Sequence, residues 1–496
     1  MRIHPIDLGI VILYLAGVTL LGAWFRRGQK NVRDYFLGGR TAPAWALACS
    51  IVATETSTLT IIGTPAIAFG GNLGFLQLVM GYLVARVVLC LVLVPRYFQG
   101  EFYTAYQLLE KRFGGRVRSA GAGVFLVTRA LAEGVRIAAV GKVVSLALGT
   151  GSRTAILIVV LLTLFYTFEG GLKAVIWTDV MQLAIYLTGS AVAFFLLLHR
   201  IPGGWSEVTH VAAAAGGKLR VFDFSFSLTK SYTFWSGVIG GTFFNMASHG
   251  TDQTLVQRIL AARNERDGKA ALLGSGVIVF VQFALFLVVG VMLFVFYQHA
   301  APGVVPSDPD QIFPAFIVTQ MPSGIAGLVL AAILAVAMSN ASGSLNSLAS
   351  SSIMDFGRGR GASVTGDTLR SSSALLRRSR WMTLIWGVVL GTLGLVRWGP
   401  VLVAGLSIAS ITYGAMLGVF LLGIWNSRAN ATGAITGMLV GLATMVAVNR
   451  FTSLAWTWYA LTGTLVTFMS GSIVSAIWGG GPAPRDMAIG NKGMSA

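Results

Sequence analysis

Gly250-Thr251-Asp252-Gln253-Thr254-Leu255-Val256-Gln257-Arg258-Ile259-Leu260-Ala261 is the stretch on which the fold turns. It closes a glycine-rich apolar segment, crowds several polar side chains together, and leads into Arg263-Asn264-Glu265-Arg266-Asp267. Polar groups at that density are costly at the end of a membrane span unless they gate or bind something. The stretch therefore predicts a membrane helix with a functional end, and the rest of the chain is expected to supply the other spans.

The chain is 496 residues long, 55% hydrophobic and 11% charged, with a mean hydropathy of +0.75. A soluble domain carries roughly 25% charged residues, so this surface cannot mostly face water. Apolar runs of about 18 residues or more recur from end to end, each long enough to cross a bilayer as a helix. Thirteen spans are predicted, near 6–25, 44–70, 73–95, 119–148, 153–169, 173–199, 232–256, 270–297, 323–352, 381–398, 400–424, 430–448 and 454–478. The expectation is an all-α integral membrane protein with one transmembrane domain over 1–480 and a short tail over 481–496.

The net charge of +18 points to topology rather than to nucleic acid, because the basic residues cluster between apolar runs. One cluster is Arg26, Arg27, Lys30, Arg33 and Arg40. A second is Arg96, Lys111, Arg112, Arg116 and Arg118, and a third includes Arg358, Arg360, Arg370, Arg377, Arg378 and Arg380. The positive-inside rule puts these loops in the cytoplasm, which places the N-terminus outside and the C-terminus inside. The loop 298–322 agrees, holding Asp308 and Asp310 but no Lys or Arg; the loop 200–231 agrees less well, with Arg200, Lys218, Arg220 and Lys230. The first span lacks a small-residue cleavage site and reads as a retained helix in a multi-pass protein of the plasma (inner) membrane. Cys49 and Cys90 lie in apolar runs, where a disulfide is not expected.

Two spans look interrupted. The second carries Ala53-Thr54-Glu55-Thr56-Ser57-Thr58 in its middle, then Gly63-Thr64-Pro65; the seventh carries Gly237, Gly240 and Gly241 before Asn245 and His249. Unwound backbone at membrane depth is tolerated where it lines a cavity or packs in protein. The two interruptions lie five spans apart, at corresponding places in two five-helix halves near 44–199 and 232–424. Such paired breaks point to a transporter's central site. The expected partners are a small-molecule solute and the lipid bilayer, with no nucleic acid and no obligatory protein partner.

Four motifs in order resemble the sodium:solute symporter family: Asp34-Tyr35-Phe36-Leu37-Gly38-Gly39-Arg40; Gly170-Gly171-Leu172-Lys173-Ala174-Val175 with Thr178-Asp179-Val180-Met181-Gln182; Asp252 to Ala262; and Ala337-Met338-Ser339-Asn340-Ala341-Ser342. The resemblance spans about residues 6–480 and implies a LeuT-type 5+5 inverted repeat. One extra helix precedes it and two follow.

The resemblance also implies Na⁺ as the coupling ion, held by oxygen ligands as a hard cation requires. Carried over by position, the carbonyls of Ala53 and Thr56 face the Val336 carbonyl and the side chains of Ser339 and Asn340. The family usually has Ser or Thr where Asn340 stands. Serines on this helix also serve close helix packing. A second sodium would use Asp179 and Ser342, but Gly343 brings no oxygen where the family has another hydroxyl. The alternative for Asp179 is a salt bridge to Lys173 or to a loop arginine.

For the solute, Asn245 matches a sugar-contacting asparagine of the family's galactose transporter. Ser248 replaces that relative's gating tyrosine, and Ile278 stands where it has a lysine. Glu55 matches an aspartate of the proline-transporting relatives and is a candidate partner for a solute amine or for sodium. Ser57, Thr60 and Phe75 fall where sialic-acid-type relatives contact their solute. Arg129, Glu133 and Arg136 share one helix face at i, i+4 and i+7. They form either an ion-pair cluster or a seat for a carboxylate.

The expected function is sodium-coupled import of a small anionic or zwitterionic solute by alternating access. A proton-coupled transporter of the same fold and a membrane solute sensor are the rivals. No metal-ligand spacing or nucleophile–base pair suggests an enzyme.

Overall fold

The computed structural model describes residues 4–26, 38–99, 105–166, 172–299, 305–354 and 373–478. The motif residues 34–37 and 170–171, the tail from 479, and the side chains of Ser339 and Ser342 lie outside the described set. The helices used below are α1 (Pro5–Arg26), α2 (Ala44–Glu55), α3 (Thr58–Gly70), α4 (Leu76–Val92), α5 (Tyr106–Phe113), α6 (Gly115–Leu148), α7 (Ser152–Tyr166), α8 (Leu172–Arg200), α9 (Gly204–Ala214), α10 (Gly241–Thr251), α11 (Gln253–Leu260), α12 (Glu265–Gln298), α13 (Ile312–Gln320), α14 (Ile325–Met354), α15 (Ser373–Gly394), α16 (Val401–Trp425), α17 (Ala431–Phe451) and α18 (Tyr459–Ile477). No strand occurs among the described residues.

Each of the thirteen stretches expected to span contains helix among its described residues, several of them with a break or a non-helical end. Among the described residues, seven helices are by length and apolar composition able to cross a membrane, or up to nine when two sharply bent pairs each count as one span. Exposed side chains such as Leu91, Leu161, Val281, Val388 and Ile473 mark faces made for lipid rather than water. α12 threads the centre, packed on α2, α3, α4 and α8.

The second span breaks where expected, and more narrowly. α2 ends at Glu55, Thr56 and Ser57 are extended, and α3 leaves at 67° to α2. Threonine and serine weaken a helix because they are stiff at χ1 or offer the backbone alternative hydrogen bonds; Thr54 Oγ1 donates to the Ser50 carbonyl at 2.7 Å. The Gly63-Thr64-Pro65 part of the expected interruption stays helical inside α3. Its glycine serves packing, since a Cβ on Gly63 would run into Leu402.

The seventh span corrects the expectation twice. Its glycines do not unwind the chain but form a π-helical turn, Ser236–Gly240, which runs straight into α10. The opening stretch is not the tail of that helix. Asp252 is extended and caps a separate helix, its side chain accepting from Thr254 N at 2.8 Å.

The basic residues of the 200–231 loop are partly drawn into the fold. Lys218 is buried, its Nζ donating to the Phe69 and Gly71 carbonyls at 2.7 and 3.1 Å, and it sits 4.0 Å above the Phe294 ring. A cation at a helix C-terminus satisfies carbonyls that lack partners. Arg200 donates to Gln320. Such charges serve the structure and weaken the loop as a topology signal.

Candidate functional site

The α2–α3 break opens onto a cavity of about 120 Å³. Glu55, Ser57 and Thr60 reach it from the break, Phe75 from the turn before α4, Arg129 and Arg136 from α6, Ser248 from α10 and Asn340 from α14. Aromatic side chains form part of the wall and pack behind it. Phe75 lies 5.4 Å from Tyr232 and 5.3 Å from Phe283, and Tyr232 and Phe244 both abut Trp456, at 6.4 and 6.3 Å between ring centroids. Tyr106, Asp252 and Thr254 also line the cavity.

Seven of the eight residues expected to meet solute therefore line one cavity, and Asn245 does not. Its side chain is fully buried, donates to Glu55 Oε1 at 3.2 Å and accepts from Arg86 at 3.3 Å. Glu55 is held chiefly by Arg86, whose Nη2 lies 2.5 Å from Oε2, and His249 Nε2 is 3.5 Å from the same oxygen. Arg86 also donates to Ser275 Oγ at 3.1 Å and to the Tyr82 carbonyl at 3.3 Å. The sequence reading missed Arg86. An arginine in the middle of the apolar run 73–95 is the signal that finds it, because a charge at membrane depth needs a named partner.

On α6, Glu133 is buried and pairs with Arg136 at 3.0 Å. Ser344 Oγ donates to the same carboxylate oxygen at 2.8 Å and accepts from Arg129 Nε at 2.8 Å. Among the described residues, no carboxylate lies within ion-pair distance of Arg129.

The residues assigned to sodium flank the break. Ala53 lies in the last turn of α2 and Thr56 just beyond its end, α14 carries Val336 and Asn340 past α3, and Asn340 Nδ2 is buried without a partner among the described residues. Thr56 Oγ1 accepts from Gln282 Nε2 at 2.7 Å. Asp179 pairs with an arginine from the segment between the expected spans 232–256 and 270–297, as one of the alternatives weighed on sequence had it: Arg258, which the structure places on α11, at 3.3 Å, together with Ser50 Oγ at 2.6 Å. Among the described residues, no group of three or more His, Cys, Asp or Glu side chains is placed to hold a metal ion.

A polar cavity at a broken helix, enclosed in an all-helical apolar bundle, is the architecture of a secondary transporter. The chain belongs to the sodium:solute symporter family, whose pattern matches residues 35–441. It is 30% identical to the sodium/sialic acid symporter of Proteus mirabilis over 96% of this chain and 97% of that one. It is 31% identical to the human sodium/iodide cotransporter over 88% of this chain and 68% of that one. A solved structure of a Na⁺-coupled sialic acid symporter, substrate-bound and outward-open, superposes with a TM-score of 0.84 at 28% identity, covering 97% of this chain and 99% of that one. A nucleobase-cation-symport-1 family transporter shares the fold, with a TM-score of 0.53 at 12% identity, covering 90% of this chain and 95% of that one. The fold is therefore LeuT-type, and the protein is a multi-pass membrane transporter, not an enzyme.

Proposed function

We propose that this sodium-coupled symporter imports a small organic anion across the plasma membrane, with its N-terminus outside and its C-terminus in the cytoplasm. Arg129 carries the reading: it is a cavity-lining cation without a carboxylate partner among the described residues, beside the hydroxyls of Ser57 and Thr60. A charge-assisted fork on a carboxylate, with hydroxyls for the rest of the molecule, suits a hydroxylated or short carboxylate. The matched relatives include sialic acid symporters and sodium-coupled monocarboxylate transporters, which agrees with that class. Glu55 is neutralised by Arg86, so a free solute amine has no unpaired carboxylate to meet there.

On this reading sodium sits between the Ala53, Thr56 and Val336 carbonyls and the side chains of Ser339 and Asn340, as the family resemblance implies. A second ion on Asp179 and Ser342 would have to displace Arg258 from the Asp179 carboxylate. Each sodium entering down the membrane potential contributes about 2.3 kcal/mol per 100 mV. The test is uptake into proteoliposomes of labelled sialic acid, short monocarboxylates, iodide and a neutral sugar, with sodium and pH gradients imposed separately. Accumulation of one anion class that follows the sodium gradient is expected. Accumulation that follows only the pH gradient would make the protein proton-coupled, and preference for the neutral sugar would overturn the anion assignment. Ser339→Ala should raise the sodium concentration needed for half-maximal uptake, and an unchanged value removes Ser339 from the site.

A further inference from the structure

Behind the cavity wall lies a buried polar cluster that neither the sodium ligands nor the solute contacts account for. Arg86 is among the largest fully buried side chains of the protein, 1% exposed, in the middle of α4. It lies against three other elements: Glu55 at the end of α2, Asn245 on α10 and Ser275 on α12. Gly276 keeps the space for it, since a Cβ there would lie 2.9 Å from Arg86 Cδ. Glu55 uses both oxygens inside the cluster, Oε1 on Asn245 and Oε2 on Arg86. It is also the last helical residue before Thr56 and Ser57 leave the helix.

We infer that the Glu55–Arg86 ion pair fixes where the α2–α3 break lies, and that Arg86 is thereby a positioning residue for the coupling ion. The inference rests on the proposed sodium site, which uses the carbonyls on either side of Glu55. An unwound segment has no helical hydrogen bonds to hold its carbonyls, and a cation site tolerates little wandering of its ligands. A buried ion pair often adds little net stability, but removing one partner leaves an uncompensated charge. The break is thus anchored through a side chain on the residue next to the ligating carbonyls. Arg86 touches neither ion nor solute. On this reading Glu55 is not a sodium ligand: its charge is spent on Arg86.

A double-substitution cycle tests this, reading the half-saturating sodium concentration for uptake by protein first shown to be monodisperse in detergent. Uptake by the unsubstituted protein is measured first, and failure to follow sodium there would sink the symport reading itself. Given sodium-driven uptake, E55Q and R86Q should each raise half-saturating sodium by about tenfold or more, equivalent to ~1.4 kcal/mol. The double variant E55Q/R86Q should be about as impaired as either single variant rather than multiplying their losses, because each substitution removes the same pin. E55Q raising half-saturating sodium while R86Q leaves it unchanged would mean that Glu55 serves the ion or the solute directly, and losses that multiply in the double variant would mean that the two residues act independently; either would overturn the inference. An E55Q that leaves half-saturating sodium unchanged would also overturn it. Should R86Q not survive purification, E55D and R86K keep both charges while altering the contact. Half-saturating sodium shifted in both supports the pin, and an unchanged value in both refutes it.

Discussion

Arg129 is where the chemistry of the cavity is decided. Its Nε is fixed by Ser344, leaving the outer edge of the guanidinium for the cavity. A hydrogen bond to a charged group contributes about 1.5–3 kcal/mol. Arg129→Gln should therefore raise the half-saturating concentration of an anionic solute about tenfold or more, while half-saturating sodium changes little. Uptake titrations in proteoliposomes read both quantities, and equal losses in both would assign Arg129 to structure instead. The Arg129, Glu133 and Arg136 face was legible because helical spacing alone puts the three side chains together. Arg86 and Glu55 were not joined on sequence, since they lie 31 positions apart on different helices and meet only through tertiary packing. Asn245 shows the same limit from the other side: its position in the chain matched a solute ligand, while its amide is taken up by Glu55 and Arg86.

At the scale of elements, close approach decides the packing. Gly81 of α4 faces the π-helical turn, where a Cβ would lie 2.6 Å from the Val238 carbonyl, 2.7 Å from the Gly237 carbonyl and 2.8 Å from Thr242 N. All three are backbone atoms, which cannot move aside as a side chain can. Gly81→Val is expected to lower stability by about 1–3 kcal/mol, the usual cost of overpacking. Gly70→Ala, with nothing within 4 Å, is the neutral control; thermal unfolding in detergent compares the two. The helix formed by the opening stretch depends on its own cap. Asp252 accepts from Thr254 N and from the Tyr413 hydroxyl of α16, the latter at 3.1 Å. Loss of an N-cap costs about 1 kcal/mol, so Asp252→Ala should speed hydrogen exchange across Gln253–Leu260 while leaving α12 protected. Uniform acceleration in both would count against a local cap. The aspartate two residues before Thr254 was visible in the sequence, but the family signature read as the end of one long helix. What hid the break is that an apolar α10 runs up to it without proline or a terminating glycine turn.

At the scale of the whole molecule, the aromatic cluster of Phe75, Tyr232, Phe283 and Trp456 and the lining residues Tyr106, Asp252 and Thr254 are the two regions whose exposure a rocking transporter is expected to exchange. A related sialic acid symporter superposes over nearly its full length while substrate-bound and outward-open. The expected rocking parts the aromatic contact of Tyr232 and Trp456 as the cavity narrows around Thr254. A second restraint at the loop before α13 must also yield or move as a body: Lys142 of α6 bridges Asp308 at 2.8 Å and Asp310 at 2.7 Å, and Asp310 also accepts from Val401 N at the start of α16. Reporter cysteines at Tyr232 and Thr254, each placed alone in a background lacking Cys49 and Cys90, should answer sodium in opposite directions. Sodium should speed thiol labelling at position 232 and slow it at 254, and Asp310→Asn should raise the sodium-free rate at 232. A ligand shifts an equilibrium only by its differential affinity for the two states. Sodium that binds the break and α14 more tightly when they are drawn together is therefore sufficient cause. Rates that rise together at both positions would mean local loosening of the bundle, and the rocking assigned to this fold would not describe the protein.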